Sequence, residues 1–385
     1  MTSYSSVHDH LARLVAFDTT SRNSNLDLIA HVEEVCRPHA AAIRRLPNEE
    51  GTKANLWVSF GPQEAGGAIL SGHTDVVPVD GQPWTSDPWV LTRRDDRLHA
   101  RGTCDMKGFI ALCLAFAPSF ARGLRKPVHF AFSFDEEVGC AGVTPMIERI
   151  VAEGAAPDLV WVGEPTLWGV VSAHKGIRDV EVAITGKAAH SSDPRLGASA
   201  IHEAVELISV LRRIATDAEA SAADGGLFDP SWTTLTVGMI NGGTAANILA
   251  RECSFIFDQR AVPGGPDPDA MLAPFREAVE IARARLAKHG PECGVEVTVR
   301  ADAPPLQHVP DSPAERLLRD LTGDNSLRTA AYATEAGQFQ KRGVPAVVCG
   351  PGSIEQAHQP DEFVAVSELE KGVEIFGRFL SRMTG

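Results

Sequence analysis

Short apolar runs alternate with longer amphipathic stretches along most of the chain. Apolar residues that recur with helical spacing predict helices, and short apolar runs bounded by turn residues predict buried strands. Strands interleaved with helices predict an α/β fold, with a central mixed sheet flanked by helices. The expected helices are residues 4–17, 26–46 and Gly108–Ala121, and the expected strands are Asn55–Phe60, Ala68–Ser71, Val128–Phe134, Leu159–Val162 and Ala346–Cys349.

The stretch from 179 to 301 has a different pattern and predicts a separate α+β sandwich inserted into the first domain. The domains are therefore expected at 1–178 with 302–385, and at 179–301. An Asn-Gly-Gly sequence at 241–243 is a typical hairpin turn between two of the inserted strands. The predicted elements of the insert are strand Asp179–Thr185, helix Gly197–Ala215, strands Thr233–Ile240 and Glu252–Gln259, helix Pro274–His289 and strand Val295–Arg300.

Composition and charge narrow the functional classes. The 385 residues exceed one ordinary hydrophobic core, which agrees with two domains. The formal net charge of −14 would repel a phosphate backbone, so no nucleic-acid partner is expected. No apolar run has the length of a membrane span, and the N-terminal segment lacks the pattern of a signal peptide. Seven scattered cysteines without a Cys-x-x-Cys pair indicate reduced thiols in the cytoplasm.

Acidic residues and histidines follow several predicted strands at the point where each strand ends. Open α/β sheets place their sites beyond the carboxyl ends of the strands, so these side chains are expected at one edge. A further acid lies in the turn Arg101–Gly108, before the predicted buried helix. The candidates are His73, Asp75, Asp105, Glu136, Glu137, Glu164 and His358.

So many carboxylates in one crevice would repel one another, and some would stay protonated unless cations balanced them. Two divalent cations with three carboxylates and two neutral imidazoles leave one positive charge, which a bridging hydroxide neutralises. Imidazole nitrogen and carboxylate oxygen without thiolate suit zinc or a similar first-row metal with open positions. Any single candidate would be an ordinary surface residue, but their coincidence at strand ends predicts a two-metal site.

The candidate segments resemble those of the co-catalytic zinc metallohydrolases, a family that includes acetylornithine deacetylase, succinyl-diaminopimelate desuccinylase, aminoacylases and carboxypeptidase G. The resemblance implies a metal-dependent amidohydrolase with two Zn²⁺ per chain, or Co²⁺ in their place. It follows the family's order along nearly the whole chain. The matching segments are Ser71–Pro78, Arg101–Gly108, Phe134–Glu137 with Gly139 and Gly142, Gly163–Pro165 and Ala357–His358.

By this resemblance Asp105 bridges the two metals. His73 and Glu164 hold one of them, and Glu137 and His358 hold the other. The peptide bond after the bridging aspartate is cis in the family, so that bond is expected to be cis here.

The resemblance also assigns Glu136 as the general base and Asp75 as the residue that orients His73 through its second ring nitrogen. The second role has a physical basis. Residues two apart on a strand share a face, and metal-bound histidines commonly donate to an outer carboxylate.

The inserted segment is similar to the lid and dimerisation domain of the family, which implies a homodimer formed through this domain. His190 matches a histidine that reaches the partner's active site, and Asn247 and Arg260 match substrate-binding positions. Ala250 stands where many relatives carry proline, and Ala100 stands where relatives tend to have glycine. Without the resemblance, His190 would be a surface residue at a hairpin tip and Arg260 part of a surface salt bridge.

Two segments narrow the substrate to a small N-acyl amino acid. Gly350–Glu362, with the substrate-binding candidate Gly352, resembles acetylornithine deacetylases, and so does Thr334-Glu335-Ala336. Glu335 is a candidate acceptor for a substrate ammonium group. The expected reaction is hydrolysis of N-acetyl-L-ornithine to L-ornithine and acetate in arginine biosynthesis. The alternatives are succinyl-diaminopimelate desuccinylase, another N-acyl-amino-acid deacylase, or a catalytically silent metal-binding relative.

Overall fold

The structure is a computed structural model that describes residues 2–222 and 226–385. Regular elements cover most of these residues. The helices are α1 (Tyr4–Val15), α2 (Leu26–Cys36), α3 (Lys107–Phe120), α4 (Thr144–Ala152), α5 (Ala200–Ala220), α6 (Pro268–Met271), α7 (Ala273–Leu286), α8 (Pro313–Thr322), α9 (Ala336–Lys341) and α10 (Val366–Thr384). The strands are β1 (Ala42–Pro47), β2 (Ala54–Phe60), β3 (Ala68–His73), β4 (Thr92–Arg94), β5 (Arg97–His99), β6 (Val128–Ser133), β7 (Leu159–Val162), β8 (Val171–His174), β9 (Ile177–Thr185), β10 (Thr234–Gly242), β11 (Glu252–Arg260), β12 (Gly294–Ala303), β13 (Arg328–Ala330), β14 (Ala346–Val348) and β15 (Phe363–Ala365).

The chain divides into two compact units. The first comprises Met1–Ala173, Leu306–Thr329 and Thr334–Gly385, and the second comprises His174–Pro305 and Ala330–Ala333. The sequence-based boundaries at 179 and 301 both fall inside the second unit.

The first unit is a mixed α/β layer structure, as the sequence predicts. Its main sheet has the strand order β1-β2-β6-β3-β7-β14-β8-β13. The four central strands β6, β3, β7 and β14 are parallel, whereas β1 and β2 are antiparallel to their neighbours and β8 is antiparallel to β14. Helices α1, α2 and α10 pack against α3, and α8 and α9 contact β7 and β14. A smaller sheet has the order β15-β5-β4.

The second unit is an α+β sandwich. Its antiparallel sheet has the order β10-β11-β9-β12. Strand β11 alternates buried and partly exposed residues, as expected for a sheet covered on one face. Phe255 and Phe257 on this strand form a core with Leu211 of α5 and Phe275 of α7.

Two local predictions are wrong. The helix expected at 26–46 ends at Cys36, and Ala42–Pro47 forms β1, which pairs with β2. Pro38 explains the end, because the residue before a proline is disfavoured in a helix. The expected Asn-Gly-Gly turn is also absent, since Asn241 and Gly242 extend β10 and pair with Ser254 and Cys253.

Two further observations concern the cysteines and the helices. All seven cysteines are buried free thiols. Among the described residues, no helix combines the length and the apolar character needed to cross a membrane.

Strand β7, which ends two residues before Glu164, is fixed by close aromatic packing. The Phe109 ring of α3 lies 5.5 Å from the Trp161 ring and 5.6 Å from the Phe376 ring, measured between centroids. A Cβ atom on Gly163 would lie 2.0 Å from the Phe109 ring. Position 163 therefore requires glycine so that the chain can turn over this ring toward Glu164.

We predict that Gly163→Ala destabilises the protein by about 1–3 kcal/mol, because the Phe109 ring cannot move out of a filled core. Gly377→Ala is the matched control, since nothing lies within 4 Å of its added methyl group in α10. The control should stabilise the protein by about 0.5–1 kcal/mol. Urea unfolding of both variants measures the two effects, and equal stabilities would contradict the packing argument.

Candidate metal centre

The four parallel strands of the main sheet bring the candidate ligands to one edge. Across these strands His73 pairs with Ser133, and Ser71 and Val348 both pair with Val162. The strands therefore end at nearly the same level, and the residues that follow them meet there. Glu136 and Glu137 follow β6, Glu164 follows β7, and His358 follows β14 after a longer loop.

Two groups of ligand atoms form at this edge, and they share Asp105. His73, Asp105 and Glu164 form one group, and Asp105, Glu137 and His358 form the other, with the ligand atoms of each group within 4.8 Å of one another. His73 Nε2 lies 2.9 Å from Asp105 Oδ1 and 3.7 Å from Glu164 Oε1. His358 Nε2 lies 3.3 Å from Asp105 Oδ2 and 3.0 Å from Glu137 Oε2. The two oxygens of Asp105 thus face different groups.

The donor set fits divalent metal ions. Glu137 Oε1 and Glu164 Oε1 are buried and have no hydrogen-bond partner among the described residues. A buried carboxylate oxygen without a partner is costly unless a cation meets it. Two imidazoles and three carboxylates are ligands suited to zinc and similar first-row ions.

Strong electrostatic interactions link the histidines to the acids. Burial alone would lower the pKa of the His73 imidazole, but the Glu164 carboxylate and a hydrogen bond with Asp105 raise it well above its usual value. Burial would raise the pKa of the Asp105 carboxyl, but hydrogen bonds with His358 and His73 hold it well below its usual range. Hydrogen bonds with Asp105 and Glu137 raise the pKa of His358 to about 10.

The carboxyls of Glu137 and Glu164, each of which belongs to one group only, have raised pKa values, in contrast to the Asp105 carboxyl. Burial, reinforced by the Asp105 charge, raises the pKa of Glu137 to about 7. Burial also raises the pKa of Glu164 to about 7, although His73 opposes the shift. Without added cations, these two carboxyls therefore hold protons near neutral pH.

The contacts of Asp75 differ from the expectation. His73 Nδ1 lies 2.9 Å from the Asp75 backbone carbonyl oxygen, whereas the Asp75 carboxylate is 3.7 Å away. That carboxylate instead accepts hydrogen bonds from the Ser21 hydroxyl at 2.8 Å and from the backbone N–H groups of Glu136 and Glu137 at 3.2 and 3.3 Å. Asp75 therefore holds both the ring of His73 and the turn that carries the two glutamates.

Glu136 lies among the ligands but belongs to neither group. Its Oε1 accepts a hydrogen bond from the Cys140 thiol at 3.1 Å. Burial raises the pKa of its carboxyl well above the usual value, and the nearby Glu164 and Glu137 charges add to the shift while His73 opposes it. A carboxyl with a raised pKa beside a metal site has the properties of a general base and acid.

The loop that carries Asp105 contains a cis peptide bond between Asp105 and Met106, as the resemblance implied. Its backbone N–H groups donate to the buried Glu362 carboxylate, which is paired with Arg101. These contacts join segments far apart in the chain, and no local pattern indicates them. Glu362 and Arg101 are therefore not among the residues that the sequence predicts for the site, and neither is Cys140, which lies four residues after Glu136.

Glu335 and Gly352 also lie in the first unit. The Glu335 side chain is 1% exposed and accepts hydrogen bonds from the hydroxyls of Ser71, at 3.1 Å, and Ser133. Burial raises its pKa to about 7. Glu335 is thus held against β3 and β6, and its role as an acceptor for a substrate ammonium stays a prediction. Gly352 has a φ of 82°, and its N–H lies 3.4 Å from Glu368 Oε2.

The other three substrate-binding candidates belong to the second unit. His190 is exposed, and its Nδ1 lies 3.2 Å from the backbone nitrogen of Ser192 and 2.7 Å from the Ser192 hydroxyl oxygen. The backbone N–H of Ser191 donates to the Asn247 carbonyl at 2.9 Å, which brings the His190 and Asn247 segments together. Arg260 Nε contacts both carboxylate oxygens of Asp258, at 3.0 and 2.8 Å.

A mixed sheet with imidazole and carboxylate ligands in two linked groups, beside a further carboxyl, defines the class of metal-dependent amidohydrolases. Comparison with known proteins agrees. The family model described as "Peptidase family M20/M25/M40" matches residues 69–382. The chain belongs to this family of metal-dependent hydrolases.

Individual relatives give the same result. The chain is 36% identical over 380 residues to a protein named acetylornithine deacetylase from Myxococcus xanthus, and the alignment covers 97% of each chain. An M20 family metallo-carboxypeptidase from Sulfolobus solfataricus shares the fold, with a TM-score of 0.76 at 18% identity over 97% of this chain and 98% of that one. A dinuclear metal-binding peptidase from Bacillus subtilis also shares it, with a TM-score of 0.62 at 13% identity over 99% and 98%.

We predict that zinc affinity falls steeply as the pH is lowered below about 7. Glu137 and Glu164, with pKa values of about 7, gain protons there that a metal ion must displace. His358, with a pKa of about 10, already holds a proton throughout this range. Each additional displaced proton weakens binding about tenfold per pH unit. Competition titrations with a zinc indicator between about pH 8 and pH 6 measure the slope. Equal affinity across this range would contradict the assignment of these carboxyls as ligands.

Proposed function

We propose that the chain hydrolyses N-acetyl-L-ornithine to L-ornithine and acetate, as in arginine biosynthesis, using two zinc ions and Glu136 as the general base. The observation that carries this proposal is the pair of ligand groups joined by Asp105, with the Glu136 carboxyl among them. The choice of substrate is supported by the relative named acetylornithine deacetylase. The resemblance of Gly350–Glu362 to the same enzymes agrees with it.

The ligand residues have a defined place in this mechanism. His73, Asp105 and Glu164 would hold one ion, and Asp105, Glu137 and His358 would hold the other. Bound divalent ions supply Lewis acidity, which polarises the amide carbonyl and lowers the pKa of a water molecule. The chain's own residues then handle the proton and orient the substrate.

Glu136 takes the proton from the attacking water and returns it to the leaving amine. Its Oε1 is occupied by the Cys140 thiol, and its backbone N–H donates to Asp75 at 3.2 Å. These contacts hold one carboxylate oxygen and the backbone of Glu136, and the second oxygen, Oε2, would take the proton of the water. Nearby cations favour the ionised carboxylate, whereas burial favours the acid, and both forms are needed in one turnover.

We further propose that the enzyme is a cytoplasmic homodimer formed through the second unit, and that His190 acts in the partner's site. An imidazole N–H of His190 would be a suitable donor for the oxyanion that develops on the substrate carbonyl. Asn247 lies on the neighbouring segment and would bind substrate with Arg260. Buried free thiols are consistent with a reducing compartment.

A panel of acylated amino acids tests the reaction and the base together. The zinc-loaded enzyme should release free amine from N-acetyl-L-ornithine faster than from succinyl-diaminopimelate and other N-acetyl amino acids. Glu136→Gln should lower kcat by about 10²–10⁴-fold while zinc content stays normal. Faster turnover of another acyl substrate would replace acetylornithine in this proposal. Normal turnover of Glu136→Gln would refute the base, and full activity in strong chelator would refute the metals.

Mixed dimers test the position of His190. His190→Ala alone should lower kcat by about 10²–10³-fold, because it removes one donor to the oxyanion. Equal mixing of unfolded His190→Ala and Glu136→Gln chains, followed by refolding, should restore about one quarter of wild-type activity. About half of the dimers are then mixed, and each has one complete site. Mixtures no more active than the parent variants would rule out action across the dimer.

A further inference from the structure

A buried ion pair between Arg101 and Glu362 lies beside the candidate metal centre but takes no part in the proposed chemistry. Arg101 Nη1 is 2.6 Å from Glu362 Oε2, and both side chains are at most 1% exposed. Burial of a charged pair costs desolvation free energy, which further hydrogen bonds must offset. The other hydrogen bonds of Glu362 and Arg101 therefore indicate which parts of the chain the ion pair holds in place.

On one side, Glu362 accepts hydrogen bonds from the loop that carries Asp105. The backbone N–H groups of Gly102, Cys104 and Asp105 donate to its carboxylate at 3.0, 2.8 and 3.1 Å. This loop has no regular secondary structure, so these N–H groups would otherwise be buried without acceptors. The carboxylate thus fixes the backbone of the one ligand that both groups share.

On the other side, Arg101 is connected to the backbone of His358. Arg101 Nη2 donates to Gln82 Oε1 at 2.6 Å, and Gln82 Nε2 donates to the His358 carbonyl at 2.9 Å. Arg101 Nη1 also lies 3.3 Å from the Gln359 carbonyl. The His358 side chain is 53% exposed and its φ is 64°, a value uncommon outside glycine, so packing alone does not hold it.

The other ligand group has a different support. His73 ends β3, and Glu164 comes two residues after β7, and these strands are neighbours joined by parallel pairing. Main-chain hydrogen bonds of the sheet therefore set the spacing of these two ligands. No such pairing links Asp105 to His358, which come from separate loops.

We propose that Glu362, Arg101 and Gln82 form a positioning clamp that sets the spacing of Asp105 and His358. The clamp thereby determines the metal affinity of the Asp105–Glu137–His358 group. This inference rests on the proposed two-metal function and adds to it the residues that prepare one of the two ion sites.

Zinc titration of the metal-free protein tests the clamp without reference to activity. Glu362→Gln keeps the size of the side chain, but its amide group would face N–H donors and leave some of them unpaired. The ion held by Asp105, Glu137 and His358 should bind about 10–100-fold more weakly. The other ion shares Asp105, but strand pairing fixes its remaining ligands, so its affinity should fall less. Wild-type affinity for both ions, or equal weakening of both, would overturn the proposal.

His358→Ala identifies which ion is affected. This variant should lose the same ion, and adding Glu362→Gln to it should change the affinity for the remaining ion little. A further large loss in the double variant would overturn the assignment to the His358 group.

Glu315→Gln is the matched control for loss of a buried carboxylate. Glu315 is 1% exposed, accepts the Asp311 N–H at 2.9 Å and pairs with Arg319 at 2.8 Å, in the same unit. The Glu315→Gln variant should lower the thermal unfolding temperature but leave both zinc affinities unchanged. Equal weakening of zinc binding by Glu315→Gln would overturn the clamp, because general destabilisation would then explain the effect.

Gln82→Ala provides a second variant, which leaves the Arg101–Glu362 pair intact. It should weaken the same zinc ion several-fold, whereas Gln340→Ala, which removes a comparable bridge to the Gln307 backbone, should not. Unchanged zinc binding by Gln82→Ala would overturn the link from Arg101 to His358. Fewer than two zinc ions on the wild-type chain would refute the proposed function itself, whereas two ions bound with the same affinities by wild type and Glu362→Gln would refute the clamp alone.

Discussion

Repulsion between carboxylates at the end of a parallel sheet is the constraint on which the first unit depends. Asp105, Glu137 and Glu164 are largely buried, and Glu136 lies among them. In the chain alone, burial and the nearby Asp105 charge raise the pKa values of Glu137 and Glu164 to about 7, and hydrogen bonds with Asp105 and Glu137 raise that of His358 to about 10. Divalent cations would take the place of the protons on these groups and release Glu136 to act as a base.

Other contacts must hold these carboxylates in place against their mutual repulsion. Two kinds of contact do so, strand pairing and hydrogen bonds to the backbone of the loops. Strand pairing fixes His73 and Glu164, and glycine at 163 lets β7 turn closely over the Phe109 ring. Irregular loops carry Asp105 and His358. The buried Glu362 carboxylate accepts backbone N–H groups of the Asp105 loop, and the Gln82 amide donates to the His358 carbonyl. Asp75 plays the same part for the Glu136–Glu137 turn as Glu362 does for the loop of Asp105.

The sequence predicts the parts of this arrangement that depend on local pattern. Apolar runs locate the parallel strands, and the polar residues after them identify the two ligand groups, because the ends of parallel strands meet at one edge. The pattern is wrong at residues 42–47, where an amphipathic stretch forms β1 through pairing with β2. It also cannot identify the Glu362–Arg101 pair, whose members are 261 positions apart. The contacts of the Asp75 carboxylate are missed for the same reason, since Ser21 and Glu136 reach it from distant segments.

Anomalous diffraction from crystals of the zinc-loaded protein, recorded at the zinc absorption edge, tests the two-metal site. Two peaks are expected about 3.5–4 Å apart, one on each side of the Asp105 carboxylate. One peak should lie beside His73 and Glu164, and the other beside Glu137 and His358. Absence of anomalous signal at Asp105, or zinc bound elsewhere on the chain, would contradict a two-metal site at this edge of the sheet.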